Sequence, residues 1–347
     1  MKDALRTLAG CPVWAESLEI QQETVRAFHR RCASILGGSC GLRPLEERLL
    51  LPERNLFSTL FIAAAKSLGL SDAKVRFYAM VNQCIRALVT GCDNLLDDEY
   101  KEVIPFDLPG DGTRFRSVLM VMTADRVLSE LAAKMMHEGR FSLAQANRLM
   151  RTAVRVLMPS GLEEHEEESG AARTVPTPEA ICDDVHYRKT GLLFEAPLSL
   201  IEEMGDAYAG QTRCAREALS GLGLACQALD DIKDIARDLQ RGQHNAVVSY
   251  AYYGGSEAER GLLLSFLRPG AGALPSPEHV AAGLITARSR TFAHAAQLFD
   301  EVETMLCTAI PGFEKEHAVA LTGAIRGTLG FDPDPVWRHA AKQEILV

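Results

Sequence analysis

Two clusters of aspartates stand about 130 residues apart in the sequence, and the members of each are spaced four residues apart. Asp93 and Asp97 form the first cluster, and Asp230, Asp234 and Asp238 form the second. Residues four apart lie on the same face of an α-helix, so each cluster would present a stripe of carboxylates. Carboxylates on one stripe repel each other, and a bound cation would relieve that repulsion.

The residue types indicate which cation would bind. Mg²⁺ prefers oxygen ligands and is commonly held by one or two carboxylates together with substrate phosphate oxygens. Neither cluster carries a His or Cys spaced to suggest zinc or a redox metal, and no HExxH or EF-hand pattern occurs. One such aspartate pair alone is more often a solvated helix face. Two clusters, each at the end of an apolar helix, favour a joint magnesium site.

The elements that must position these carboxylates are helices, because apolar residues recur with helical periodicity and strand signals are scarce. We predict one all-α domain over residues 1–347 with ten or more helices, the first ~45 residues being an extra helical segment. After an apolar helix at 56–69, the predicted helices lie at 75–98, 115–136, 142–158, 178–204, 211–241, 243–253, 256–267, 277–309 and 314–328. The acidic run at 163–169 is interpreted as a solvated loop or helix end.

Composition excludes several functions. The chain has 347 residues, 47% of them hydrophobic, and its formal net charge of -9 makes nucleic-acid binding a poor hypothesis. Its nine cysteines include no C-x-x-C pair, so neither a disulfide framework nor a zinc knuckle is indicated. There is no signal-peptide pattern and no apolar run of ~20 residues. We therefore expect a soluble cytoplasmic protein without a membrane span.

Over about residues 50–330 the chain resembles the class I isoprenoid synthase superfamily, which includes trans-polyprenyl diphosphate synthases and class I terpene synthases. The family's first DDxxD motif is matched by Asp93-Asn94-Leu95-Leu96-Asp97, and its second by Asp230, Asp231 and Asp234. The resemblance implies a helical bundle around a central cavity. It also implies three Mg²⁺ ions that hold the diphosphate of a prenyl substrate, and a homodimer.

The segment YRKTGLLF at 187–194 resembles the family's Lys-Thr segment, which would make Lys189 a diphosphate contact. The second aspartate cluster also fits the terpene synthase motif NDxxSxxxE, with Asp238 in the place of the Glu. Arg237 then falls where that branch often has a diphosphate-binding residue. The Arg-Tyr pair of that branch is missing near the C-terminus, and Arg338 is a candidate substitute.

A chain-elongating prenyltransferase needs a second diphosphate site, which the family builds from GGKxxRP and from two arginines after the first aspartate motif. Here the Lys position holds Arg54, the Arg position Phe57 and the Pro position Ser58, and no arginine pair follows Asp97. A second diphosphate would therefore meet little positive charge.

These features favour a Mg²⁺-dependent terpene synthase that ionises a linear prenyl diphosphate of fifteen or twenty carbons and cyclises or rearranges the allylic cation. The alternative is a trans-polyprenyl diphosphate synthase. A head-to-head squalene- or phytoene-type synthase and a non-catalytic partner subunit are further alternatives. An apolar pocket would fold the substrate chain, although each candidate is more often plain core. The candidate lining residues are Phe57, Tyr78, Leu88, Val89, Phe194 and Gln227.

Overall fold

The computed structural model describes residues 1–38, 40–97, 99–169, 174–268 and 274–331, and these are almost entirely helical. The helices are α1 (Lys2–Ala9), α2 (Pro12–Leu36), α3 (Leu56–Ser67), α4 (Asp72–Leu96), α5 (Thr113–His137), α6 (Leu143–Arg155), α7 (Met158–Glu168), α8 (Pro178–Ala180), α9 (Leu192–Glu203), α10 (Ala209–Arg241), α11 (Ala246–Gly254), α12 (Glu257–Leu267), α13 (Pro277–Gly283), α14 (Ile285–Ala309) and α15 (Lys315–Thr328). The all-α prediction is confirmed.

Shorter elements connect these helices. Two 3₁₀ turns precede α3, at Glu47–Leu50 and Pro52–Arg54, and two π-helical turns lie between α8 and α9, at Ile181–Val185 and Tyr187–Gly191. Two-residue strands, β1 (Gly41–Leu42) and β2 (Phe106–Asp107), pair antiparallel. The predicted helix over 277–309 is two helices, because the chain turns at Leu284, where ψ is 57°.

The helices pack around one hydrophobic core. The long helix α10 packs against α9, α11, α13 and α14, and α4 packs against α2, α3 and α5. The N-terminal segment takes part, since Trp14 and Phe28 of α2 are fully buried in the same core as Phe299 of α14. Among the described residues, no helix combines the length and the apolar character that crossing a membrane would require.

Glycines allow the segment before α9 to approach α10 closely. A Cβ on Gly191 would lie 2.8 Å from the Tyr187 ring and 3.0 Å from the Ser220 hydroxyl. A Cβ on Gly223 would lie 3.0 Å from the Phe194 ring. The helix α10 itself ends at Gly242, whose φ of 70° is the left-handed conformation that often terminates helices. This packing brings the second aspartate cluster and the segment around Lys189 to one side of the bundle.

Candidate active site

The two aspartate clusters face a common cavity of about 620 Å³. The first cluster lies at the C-terminal end of α4, and the second lies along the last turns of α10. The structure therefore brings together side chains that the sequence predicted separately. The predicted residues that line this cavity are Phe57, Val89, Asp93, Asp97, Lys189, Phe194, Gln227, Asp230, Asp234, Arg237 and Asp238.

Two predicted pocket residues lie elsewhere. The hydroxyl of Tyr78 is buried away from the cavity and donates a hydrogen bond to Asp206 Oδ2 at 2.6 Å. Leu88 packs against the hydrophobic core and is not part of the cavity lining. Tyr78 and Leu88 both lie on α4. The face of α4 that lines the cavity carries Arg86, Val89 and Asp93, so the side chains of Tyr78 and Leu88 point to other faces of the helix. Arg338 lies outside the described residues.

Asp93 and Asp97 form the first acidic wall of the cavity. Protein groups compensate the negative charge of this wall only in part. Burial, with a smaller effect of Asp97, raises the pKa of Asp93 to about 6. The neighbouring Asn94 does not face the cavity: it is buried, donates to the carbonyl of Lys101 at 3.1 Å and accepts from its backbone N–H at 2.8 Å. Asn94 therefore closes the loop after α4, which explains why an amide can stand where the family motif has its second aspartate.

Asp230, Asp234 and Asp238 form the second acidic wall, where burial also raises the pKa values of the carboxyls. Burial raises the pKa of Asp230 to about 6 and that of Asp238 to about 7. Asp234 is paired with Arg237 at 2.6 Å. Basic residues of α10 also reach the first wall, since Arg237 lies 3.3 Å from Glu99 and Arg241 lies 3.5 Å from Asp97 Oδ1. The last turns of α10 are thereby joined electrostatically to the first aspartate cluster.

Asp231 has a structural role, although it lies inside the second motif. Its side chain is buried and accepts hydrogen bonds from the backbone N–H of Ala246 at 2.6 Å and from Gln227 Nε2 at 3.0 Å, and it lies 2.9 Å from His186 Nε2. Burial opposes its charge, but His186 and the hydrogen bonds outweigh burial and lower the pKa of Asp231. This carboxylate holds α10 against α11 and the segment before α9.

Lys189 lies at the cavity, but two carboxylates of α7 already hold its amine. Nζ is 2.9 Å from Glu167 Oε2 and 3.1 Å from Glu164 Oε1. Burial disfavours its charged form, but Glu167 and Glu164 outweigh burial and raise the pKa of Lys189. The interpretation of 163–169 as a solvated segment is therefore wrong for its inner face. Glu163 and Glu167 are buried because they face the basic residues Arg188 and Lys189 across the helix contact.

The part of the cavity around Arg54 and Arg86 is basic, and of these two residues the sequence analysis missed Arg86. Arg86 and Arg54 both line the cavity, and Arg86 donates to the Arg54 carbonyl at 2.8 Å and to Asn55 Oδ1 at 3.2 Å. Burial, with a smaller effect of Arg54, lowers the pKa of Arg86 to about 10. Within the described ranges, neither guanidinium forms an ion pair with a carboxylate. The available signal was the spacing, because Arg86 precedes Asp93 by seven residues, which is two helical turns.

The carboxylates of the two aspartate clusters suit Mg²⁺, which needs few protein ligands, better than a metal ion whose ligands all come from the protein. The described residues contain no cluster of three carboxylates from the two aspartate walls close enough to share one ion. Mg²⁺ keeps several waters and often takes only one or two carboxylates plus phosphate oxygens. Carboxylates with raised pKa values, spread over two walls of one cavity, match that mode of binding.

No protein-family model matches the chain, and no curated protein matches it in sequence. Its fold is similar to that of a decaprenyl diphosphate synthase from Rhodobacter capsulatus, with a TM-score of 0.64 and 18% identity over 92% of this chain and 99% of that one. A polyprenyl synthase from Caulobacter crescentus, complexed with calcium and isoprenyl diphosphate, has a TM-score of 0.59 and 15% identity over 93% and 98% of the two chains.

A geranylgeranyl pyrophosphate synthase from Corynebacterium glutamicum, complexed with isoprenyl diphosphate and magnesium, is also similar. Its TM-score is 0.57, with 15% identity over 92% of this chain and 98% of that one. All three proteins belong to the class I isoprenoid synthase superfamily. The fold implied by the aspartate motifs is therefore confirmed, while identities this low show the fold alone.

Proposed function

We propose that this protein is a Mg²⁺-dependent prenyltransferase that joins two prenyl diphosphates. An allylic substrate would bind at the acidic end of the cavity, and a second, homoallylic substrate such as isopentenyl diphosphate would bind at the basic end. The observation that carries this proposal is the pair Arg54 and Arg86 in the same cavity as both aspartate walls. It favours the chain-elongating alternative over the single-substrate cyclisation that the sequence motifs favoured.

The geometry along α4 supports two sites. Arg86 and Asp93 are seven residues apart and share one face of the helix, which separates them by about 10 Å along its axis. A diphosphate at Arg86 and one at Asp93 would therefore occupy different places. Because the guanidinium groups of Arg54 and Arg86 hold no described carboxylate, they are available to an anion, and arginine suits diphosphate oxygens through bidentate hydrogen bonds.

In the reaction, the C–O bond of the allylic substrate breaks and its electron pair leaves with the diphosphate. The double bond of the second substrate then attacks the allylic carbon, a C–C bond forms, and a proton passes from the second substrate to an oxygen of the departed diphosphate. Bound Mg²⁺ would supply neutralisation of the leaving diphosphate. We assign the ions to Asp93, Asp97, Asp230, Asp234 and Asp238.

Two basic residues complete the acidic end. Lys189 and Arg237 are proposed to donate to the leaving diphosphate. Each is held by carboxylates in this structure, Lys189 by Glu164 and Glu167 and Arg237 by Asp234. The apolar part of the cavity, including Phe57, Val89 and Phe194, would hold the prenyl chain and exclude water.

Product analysis tests the proposal. The purified protein is incubated with Mg²⁺ and geranyl, farnesyl or geranylgeranyl diphosphate, with and without isopentenyl diphosphate, and the products are identified by mass spectrometry. We expect a longer prenyl diphosphate that requires both substrates, and Asp93→Asn should abolish it while Asp72→Asn, an exposed residue on the same helix, should not. A hydrocarbon or alcohol formed from one substrate alone would overturn the proposal.

A hydrocarbon or alcohol formed from one substrate would support the alternative function, a terpene synthase. One observation favours that alternative. Phe57 stands where the resemblance places a diphosphate-binding arginine, and its ring meets Phe194 edge to face at 5.0 Å in the cavity wall. Aromatic faces attract cations, so such a wall suits an allylic cation that cyclises in place. The same incubation therefore distinguishes the two functions by whether the second substrate is required.

We also propose that two copies of the chain associate through α5. Its side chains Phe115, Val118 and Met122 are 61%, 40% and 64% exposed and follow helical spacing on one face. A stripe of large exposed apolar side chains on a helix is typical of an interaction surface. A second copy is the occupant that the resemblance implies.

A further inference from the structure

A further group of residues of metal-binding types, distinct from the two aspartate clusters, lies at the edge of the cavity. It consists of Glu163 and Glu167, one turn apart on α7, and His244, which follows the C-terminal end of α10. One potential ligand atom from each side chain lies within 4.8 Å of the other two. These residues do not belong to either aspartate wall, although Glu167 also holds Lys189 and His244 lines the cavity.

Both carboxylates are arranged in the same way. Glu163 lies 3.1 Å from Arg188 through its Oε2 atom, and Glu167 lies 2.9 Å from Lys189 through its own Oε2. Each of them turns its other oxygen, Oε1, toward His244 Nδ1, at 3.4 Å from Glu163 and 3.5 Å from Glu167. The cations therefore occupy the outer oxygens, and three potential ligand atoms converge on the side facing His244.

Two of the three converging atoms, Glu163 Oε1 and His244 Nδ1, lack hydrogen bonds to other described residues. The side chain of Glu163 is 1% exposed, yet neither of its oxygens has a hydrogen-bond partner among the described residues, and the same holds for His244 Nδ1. Leaving buried polar atoms without a hydrogen bond destabilises the folded protein. Both Nδ1–Oε1 separations, 3.4 and 3.5 Å, are longer than the roughly 2.7–2.9 Å of a charge-assisted N–H···O bond.

The separations instead match those between ligands of one metal ion. Zinc bonds to nitrogen and carboxylate oxygen are about 2.0–2.2 Å long, and two ligands of a tetrahedral ion at such distances are about 3.4 Å apart. The two distances from His244 Nδ1 fall at that value. The backbone N–H of His244 also donates to Glu167 Oε1 at 3.1 Å, which holds the loop and the carboxylate in register.

We propose that Glu163, Glu167 and His244 bind a divalent transition metal of the Zn²⁺ class, at a site separate from the aspartate walls. The imidazole nitrogen disfavours Mg²⁺, which prefers oxygen, and favours Zn²⁺ or Co²⁺. Three protein ligands leave a fourth position for water. The bound ion would connect α7 to the loop after α10, next to Lys189, Glu164 and the cavity.

Direct metal binding tests the site without any assay of prenyl transfer, so its outcome is independent of the proposed function. The full-length protein is stripped with a chelator, placed in excess Mg²⁺ and titrated with Co²⁺, whose visible absorption reports tetrahedral coordination. Zn²⁺ affinity is then measured by competition with a chromophoric chelator. We expect one Co²⁺ per chain, displaced by Zn²⁺, with only nitrogen and oxygen ligands.

Two variants and a matched control decide the assignment. His244→Ala and the isosteric Glu163→Gln should each weaken Zn²⁺ binding by at least roughly tenfold, with far-UV circular dichroism checking that they fold. His165→Ala, an exposed histidine on the same helix α7, should bind as the wild type does. The proposal is overturned if no Co²⁺ binds in excess Mg²⁺, if the spectrum shows thiolate charge-transfer bands, or if binding is lost in Asp93→Asn and kept in His244→Ala.

Discussion

Asp238 is a proposed metal ligand, and its burial lowers the stability of the fold. Burial raises the pKa of this carboxyl to about 7 from its ordinary 3.8, partly offset by the hydrogen bond from Asn245. Its side chain is 9% exposed. The folded protein therefore binds this proton more tightly than the unfolded chain does, and the contribution of Asp238 to stability falls as the pH rises from about 4 to about 7.

Asp238→Asn should remove that penalty. In metal-free buffer at about pH 8 we expect the free energy of unfolding to rise by on the order of 1–3 kcal/mol, and at about pH 4 to stay unchanged, because the carboxyl is then protonated in both states. Urea denaturation at both pH values measures this, with the exposed Asp300→Asn as control. A variant that is no more stable than the wild type at pH 8 would contradict the prediction.

Arg86 tests the division of the cavity into two diphosphate sites. Arg86→Gln removes the positive charge but keeps a polar side chain, so the affinity for the second substrate should fall. We expect its KM for isopentenyl diphosphate to rise at least about tenfold, while the KM for the allylic substrate stays near the wild-type value.

Steady-state kinetics with each substrate varied in turn measures the two constants. Arg76→Ala is the control, since Arg76 is also on α4 but pairs with Glu23 at the surface. Equal increases in both KM values would indicate a general structural effect and would argue against a separate basic site.

At the scale of elements, the π-helical turn Tyr187–Gly191 determines where Lys189 stands. Gly191→Ala would place a Cβ 2.8 Å from the Tyr187 ring and 3.0 Å from the Ser220 hydroxyl. We expect a loss of stability of about 1–3 kcal/mol from overpacking, together with weaker diphosphate binding as Lys189 shifts. Denaturant unfolding and substrate titration measure the two effects.

The matched control for this change is Gly161→Ala on α7, where an added Cβ meets nothing within 4 Å. That substitution should be neutral or slightly stabilising, because alanine has the higher helix propensity. If both variants lose equal stability, close packing at Gly191 is not the reason.

At the scale of the whole molecule, the exposed stripe on α5 predicts self-association. Met122→Lys places a charge at its most exposed apolar position, 64% exposed, and should shift the protein from dimer to monomer. Light scattering coupled to size-exclusion chromatography measures the mass. The control is Val154→Lys, an exposed apolar residue on α6, which should leave the mass unchanged. A monomeric wild type would refute the proposed dimer.

Most of the helices, and the stripe of carboxylates that each aspartate cluster forms, could be predicted from the sequence alone. Helical periodicity is a short-range property, so the positions of α4, α10 and α14 follow from the residues within them. Carboxylates four apart share a helix face whatever surrounds them, which is why Asp93 and Asp97 form one stripe and the residues from Asp230 form another. That the two stripes face one cavity was implied by the resemblance and depends on how α4 and α10 pack.

Only the tertiary structure decided which neighbours each side chain meets. Asp231 contacts His186, Lys189 pairs with carboxylates of α7, and Tyr78 donates a hydrogen bond to Asp206. Each of these partners is at least 22 residues distant in sequence. In the sequence Arg86 is one of several charged residues of α4, and only the packing of the helices places it beside Arg54. Such contacts depend on how helices cross, and helical periodicity carries no information about that crossing.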